Sequence, residues 1–233
     1  LLVLINPNNP CGTVCGADDI DALLEIARRY PNCIVVADEI YDGLDFTGEH
    51  VSVASRSEDV PVVALNGVSK VYYAPGWRIG YMALHDPTNR MGLVRDGLER
   101  LLRSRLCAST PAQVGYLAGL EQDRGWMETY SERVLRRRDH CLKRIAQIDG
   151  LEVEQPGGAF YMFVRLTDER WANDDKAFVL QLLHEEHVLL VHGSGFSPQL
   201  GKGHVRLVYL VTLEVLDEVF DRIERFLKKH RGH

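Results

Sequence analysis

No apolar run in this sequence approaches the roughly 20 residues that a helix needs to cross a bilayer. A spanning helix is therefore excluded, and no membrane partner is expected. A basic face is missing too. Lys and Arg number 27 against 33 Asp and Glu, the net charge is −6, and the two signs are interleaved. Nucleic-acid binders cluster their positive charge, so no nucleic-acid partner is expected either. The densest basic run, Arg136-Arg137-Arg138, falls in a helical stretch and reads as a solvated face. Cysteine is scarce and odd in number: Cys11, Cys15, Cys33, Cys107 and Cys141. That number and irregular spacing do not suit a disulfide framework, and a reducing, cytoplasmic setting fits better. Cys11 and Cys15 have no second Cys or His pair at zinc-site spacing, so no metal is expected. Internal repeats and low-complexity tracts are also lacking.

What is present is an ordinary globular composition, 45% hydrophobic and 26% charged over 233 residues. This supports a sizeable core, in one large domain or two modest ones. The chain opens on Leu1-Leu2-Val3-Leu4-Ile5, an apolar strand without an initiating Met, so it is expected to begin in mid-fold. Short apolar runs at 1–5, 33–37 and 61–65 read as buried parallel strands, with a fourth strand at 78–83. An amphipathic helix at 17–30 separates the first two. Helices are predicted at 89–106, 111–120 and 126–148. Strands follow at 151–154 and 159–164, then a helix at 174–186, strands at 188–191 and 204–210, and a last helix at 213–229. That helix carries Leu213, Leu216, Val219, Ile223 and Phe226 as its apolar stripe. Strands alternating with helices give an α/β layer with a mixed, mostly parallel sheet over residues 1–131. A smaller α+β domain is expected over 132–233, with the long helix crossing between the two.

In open α/β sheets, ligands gather beyond the carboxyl ends of the strands. Three such ends here carry polar groups. Lys70 follows the third apolar strand. Desolvation and nearby cations depress a lysine pKa and make the amine nucleophilic, and Arg78 is close in sequence. Taken alone, Lys70 reads as a surface lysine at a loop start. Asp38 closes the second strand, where a carboxylate is costly without a cation. A protonated pyridine nitrogen would serve, and so would a helix cap or structural ion pair. Tyr41 and Asn9 can each hydrogen-bond a ligand oxygen, or be a packed tyrosine and a turn asparagine. Arg78 has the donor fork that suits phosphate, and Ser69 can add a hydroxyl. Arg206, inside the apolar run His204-Val205-Arg206-Leu207-Val208, calls for an anion, either a bound carboxylate or a structural partner. Glu39 reads as structural.

The joint pattern is more specific than its parts. Asn6-Pro7-Asn8-Asn9-Pro10-Cys11-Gly12 resembles the Asn-Pro-x-Asn-Pro-Thr-Gly signature of the class I/II aminotransferases, enzymes of pyridoxal-phosphate (PLP) fold type I. Asp38-Glu39-Ile40-Tyr41 resembles their Asp-Glu-x-Tyr, and Ser69-Lys70 with Gly76-Trp77-Arg78-Ile79-Gly80 resembles their Ser-Lys…Gly-x-Arg-x-Gly. The resemblance covers essentially the whole chain, and implies that it is the carboxyl-terminal part of such an enzyme. It implies catalytic roles for Lys70, Asp38 and Tyr41, with PLP bound by Asn9, Asp38, Tyr41, Ser69, Lys70 and Arg78. Asn9 and Arg206 would hold the substrate, an amino acid or a 2-oxo acid, and the complete protein would be a homodimer. Asn66-Gly67-Val68-Ser69-Lys70, Arg105-Leu106-Cys107-Ala108 and Val188-Leu189-Leu190-Val191-His192-Gly193 look like the branch that exchanges an amino group between alanine and 2-oxoglutarate. A PLP lyase or decarboxylase of the same fold, or a non-catalytic fragment, would share these motifs. Three departures stand out: Cys11 for the usual Thr, Gly67 for a phosphate-binding Ser, and His192 for a common Pro.

Overall fold

The computed structural model describes residues 1–123 and 125–231. These form two compact units. The first comprises Leu1–Pro7 and Val14–Glu128; the second comprises Asn8–Thr13 and the chain from Thr129 onward. Among the described residues, no helix is long and apolar enough to cross a membrane.

The first unit is an α/β layer. Its elements are β1 (Leu2–Ile5), α1 (Ala17–Arg28), β2 (Val35–Asp38), α2 (Val53–Arg56), β3 (Val62–Gly67), β4 (Gly80–His85), α3 (Gly92–Arg105) and α4 (Thr110–Glu121). The sheet runs β1-β2-β3-β4. The first three strands are parallel, with Ile5, Asp38 and Leu65 in register. Parallel neighbours need long crossovers, and the segments carrying α1 and α2 supply them. β4 returns antiparallel, placing Gly80 opposite Gly67. It begins two residues later than expected because Arg78 sits in a left-handed turn at φ 52°. α1 is helical because Ile20, Leu24 and Ala27 recur on one face. Asp18 and Asp19 lie in its first turn and Arg28 in its last, which suits the helix dipole. That face packs on Val35, Ala37 and Val62. Burial of Ile20 and Leu24 contributes about 1.5–3 kcal/mol each.

The division between units falls within α5 (Gly125–Ile145). The second unit adds β5 (Leu151–Val153), β6 (Tyr161–Leu166), α6 (Glu169–Asn173), α7 (Asp175–Glu186), β7 (Val191–His192), β8 (His204–Val208) and α8 (Leu213–His230). Its sheet is antiparallel, in the order β5-β6-β8-β7. The core is aromatic: the Trp171, Phe178 and Phe226 ring centroids lie 5.4–5.6 Å apart.

Three local readings change. The α8 stripe turns toward Leu216, Phe220, Ile223 and Leu227, with Phe226 also buried. Phe220 is fully buried, and Leu213, in the first turn, stays 39% exposed. The strand expected at 188–191 shrinks to Val191–His192. Val188 and Leu190 are buried, but only Val191 and His192 find ladder partners on β8, in Arg206 and Val205. β6 starts at Tyr161 because Ala159 takes a positive φ of 56°.

Candidate active site

The first unit gathers its polar groups at the carboxyl edge of the parallel strands. Asp38 is the last residue of β2. Its backbone carbonyl accepts the Asn6 N–H at 3.0 Å, which ties β1 to β2. Its carboxylate accepts the Ile40 N–H at 3.2 Å. No lysine or arginine among the described residues pairs with it. Tyr41 follows and is buried, with its ring centroid 5.9 Å from the Lys70 Nζ. Lys70 and Ser69 are half-buried on the turn after β3, where the Ala74 N–H donates to the Val68 carbonyl at 3.1 Å. Arg78 is exposed and donates through Nη1 to the Pro75 carbonyl at 2.7 Å, which leaves most of its donor fork unspent.

Gly67 is explained by close backbone approach. A Cβ there would lie 2.8 Å from the Ile79 carbonyl oxygen and 2.9 Å from the Gly80 Cα. Across the pair, a Cβ at Gly80 would lie 2.6 Å from the Asn66 carbonyl. A serine at 67 does not fit between these strands, so the departure from the family's pattern is steric.

Sequence reasoning missed the pair that braces this edge. Asn66 donates through Nδ2 to Asp42 Oδ2 at 2.9 Å, while its Oδ1 accepts the Gly67 N–H at 2.7 Å. The end of β3, which leads to Lys70, is thereby tied to the turn that follows Tyr41. Glu39 is structural as expected: buried, it caps α2 by accepting the Val53 N–H at 2.9 Å.

The second unit holds the other group. The Asn8–Thr13 loop closes on itself through Asn8 N–H to the Thr13 carbonyl at 2.8 Å and Gly12 N–H to the Asn8 carbonyl at 3.0 Å. Gly12 is required twice over. Its φ is +72°, and a Cβ would lie 2.6 Å from the Pro156 Cβ. Asn9 Oδ1 accepts Arg206 Nη1 at 2.8 Å. The Arg206 guanidinium carbon stands 4.7 Å from the Tyr161 ring centroid and 5.0 Å from that of Phe196, at cation–π range. Its Nε is buried with no hydrogen-bond partner. A buried unpaired donor costs about 1–3 kcal/mol. The alternation of β6 was the missed signal here: Tyr161 and Phe163 share a face, and Phe163 is opposite Arg206.

The structure thus brings Lys70 and Tyr41 together in one unit, and Asn9 and Arg206 together in the other. Burial raises the thiol pKa of Cys11, and burial and then Asp19 raise that of Cys15, so neither is a ready thiolate.

A family model described as aminotransferase class I and II matches residues 1–223. The chain belongs to that family. Over 99% of its length it is 37% identical to the glutamate-pyruvate aminotransferase AlaA of Haemophilus influenzae, of which it covers 57%. An alanine aminotransferase of Mycobacterium tuberculosis is 33% identical over 99% of the chain, which covers 54% of that protein. Among solved structures, the alanine aminotransferase of Pyrococcus furiosus superposes with a TM-score of 0.93 at 45% identity, covering 98% of this chain and 57% of that one. The chain therefore spans little more than half the length of these aminotransferases, and shares their fold over nearly all of its own. The resemblance read from the motifs and the α/β fold class both stand.

Proposed function

We propose that the protein is a PLP-dependent aminotransferase exchanging an amino group between alanine and 2-oxoglutarate. The observation that carries this reading is Arg206. A half-buried guanidinium, braced by Asn9 and faced by two aromatic rings, suits a carboxylate bound by a fork of N–H groups. Amino acid and 2-oxo acid share that carboxylate, so one site can receive each in turn. The identity to alanine and glutamate-pyruvate aminotransferases supports this substrate pair.

The first unit carries groups that suit PLP. It offers an amine at Lys70 for the aldehyde and a carboxylate at Asp38, paired with no lysine or arginine among the described residues, for the ring nitrogen. Arg78 and Ser69 are available to the phosphate. When bound, PLP supplies an electron sink for the charge left on the substrate α-carbon. The chain's own residues do the rest. Arg206 and Asn9 fix the carboxylate and so orient the α-carbon. Lys70 Nζ would take the α-proton as general base and give it up as general acid at a different carbon, the relay that amino-group exchange needs. Asp38 would keep the ring nitrogen protonated, and Tyr41, buried beside Lys70, would hydrogen-bond the ring oxygen. Five free cysteines agree with a reducing cytoplasm. The resemblance to the family supports a homodimer for the complete protein.

The test is product analysis with alanine and 2-oxoglutarate. Pyruvate and glutamate should form in equal amounts. Release of ammonia or carbon dioxide instead would replace this reading with a lyase or decarboxylase.

A further inference from the structure

We infer that Asp175 and Ser194 are positioning residues for the carboxylate site, acting on Arg206 through Phe196; this rests on the reading of Arg206 given above. Asp175, the first residue of α7, is 3% exposed. Buried acids are rare and usually find a cation, yet no lysine or arginine among the described residues pairs with this one. Both of its oxygens are given to a single residue. Oδ2 accepts the Ser194 N–H at 2.7 Å, and Oδ1 accepts the Ser194 hydroxyl at 2.8 Å. The α7 amino terminus adds a favourable dipole.

This arrangement sets the direction of the next hydrogen bond. An ionised carboxylate only accepts, so the one Ser194 proton goes to Asp175. Ser194 Oγ must then accept from His192 Nδ1, 3.0 Å away, and that nitrogen carries the ring proton. The family's usual proline could make no such bond.

The network clamps a turn that has no room to shift. A Cβ on Gly193 would lie 2.2 Å from the Gly201 carbonyl, and one on Gly195 would lie 2.8 Å from the His192 ring. The Phe196 N–H donates to the Gly193 carbonyl at 2.9 Å. What the turn presents is the Phe196 side chain, 39% exposed, with its ring 5.0 Å from the Arg206 guanidinium carbon and edge-on to Phe163 at 6.1 Å. A buried acid spent on a turn, and a turn spent on a ring over the guanidinium, amount to a device that fixes the plane of Arg206 before the carboxylate arrives.

The test uses the cofactor-loaded protein. Ser194→Ala should raise KM for both alanine and 2-oxoglutarate by about tenfold, the scale of one well-placed cation–π contact. The kcat should stay within about twofold, since the proton-transfer groups are untouched. Ser194→Thr, which keeps the hydroxyl, should restore KM. Propanoate, which is alanine without its amine, reads the same site without turnover, and its affinity should fall in parallel. A Ser194→Ala protein that melts normally with unchanged KM and propanoate affinity would overturn the inference, as would a loss confined to kcat. Should Ser194→Ala not fold, Phe196→Leu is read the same way: the KM and propanoate losses support the inference, and unchanged values overturn it. A wild-type protein that binds propanoate but exchanges no amino group would sink the aminotransferase reading alone.

Discussion

In the second unit Trp171, Phe178, Phe220 and Phe226 are each at most 2% exposed, and α8 buries a full stripe. In the first unit α3 buries none of its 14 residues, and Leu93, Leu101 and Leu102 stand 60% or more exposed. The polar groups divide along similar lines. Lys70, Ser69 and Arg78 sit on turns that begin or end strands, where groups can move with a bound molecule. Arg206 sits within a strand, with Tyr161 and Phe196 against it. Covalent chemistry needs an amine that can leave its resting position and act on a neighbouring carbon. Recognition of a carboxylate needs a guanidinium that does not move. On the function proposed above, the two units would supply these opposite mechanical requirements.

The largest effect should come from removing the Lys70 amine. Lys70→Ala should abolish the visible absorbance of covalently held cofactor and lower amino-group exchange by about 10²–10⁴-fold, the range expected on losing a general acid–base. Absorbance that survived the substitution would place the covalent attachment on another residue.

A smaller effect should separate the two interiors. Trp171→Ala, in the aromatic core of the second unit, should cost about 3–5 kcal/mol of stability in urea unfolding. Leu101→Ala, on the open side of α3, should stay within about 0.5 kcal/mol. If Leu101→Ala cost as much as a core substitution, the α3 face would be covered in the purified protein, and the contrast between the units would lie in the chain alone.

Most of this was legible where period and chemistry agree. The parallel strands announced themselves as short apolar runs, and α1 as a face spaced at three and four residues. The proposed site residues lay inside motifs whose order could be read directly. Illegible features depended on partners distant in sequence. Nothing local to Val188-Leu189-Leu190 says that only Val191 and His192 meet β8. Nothing in the α8 pattern decides between Val219 and Phe220 until the opposite surface is known. Gly67 looked like a lost phosphate ligand until Gly80 was seen against it. Asp175 drew no notice, because an acid at a helix start is ordinary; its burial and its grip on Ser194 are properties of the fold.

Acid should reach the second unit through the seam between α7 and α8, and this is the smallest effect expected. Glu185 accepts hydrogen bonds from Lys229 Nζ at 2.8 Å, the His230 ring at 3.0 Å and Gln181 at 2.7 Å. Lys229 first, then His230 and Gln181, hold its carboxyl well down, to about 2 from an ordinary 4.5. A carboxyl whose folded pKa is depressed contributes stability that is fully present above its unfolded value and is lost as pH falls through the folded one. The seam should therefore be intact above pH 4.5 and weaken between there and about 2. Glu186, held low by Arg225, adds in the same direction. Glu185→Gln cannot titrate and should flatten this part of the melting-temperature profile, while amide exchange in α8 should quicken in acid for the wild type more than for the variant. An identical acid profile in Glu185→Gln would move the acid sensitivity away from Glu185, to Glu186 and Arg225 or beyond the seam.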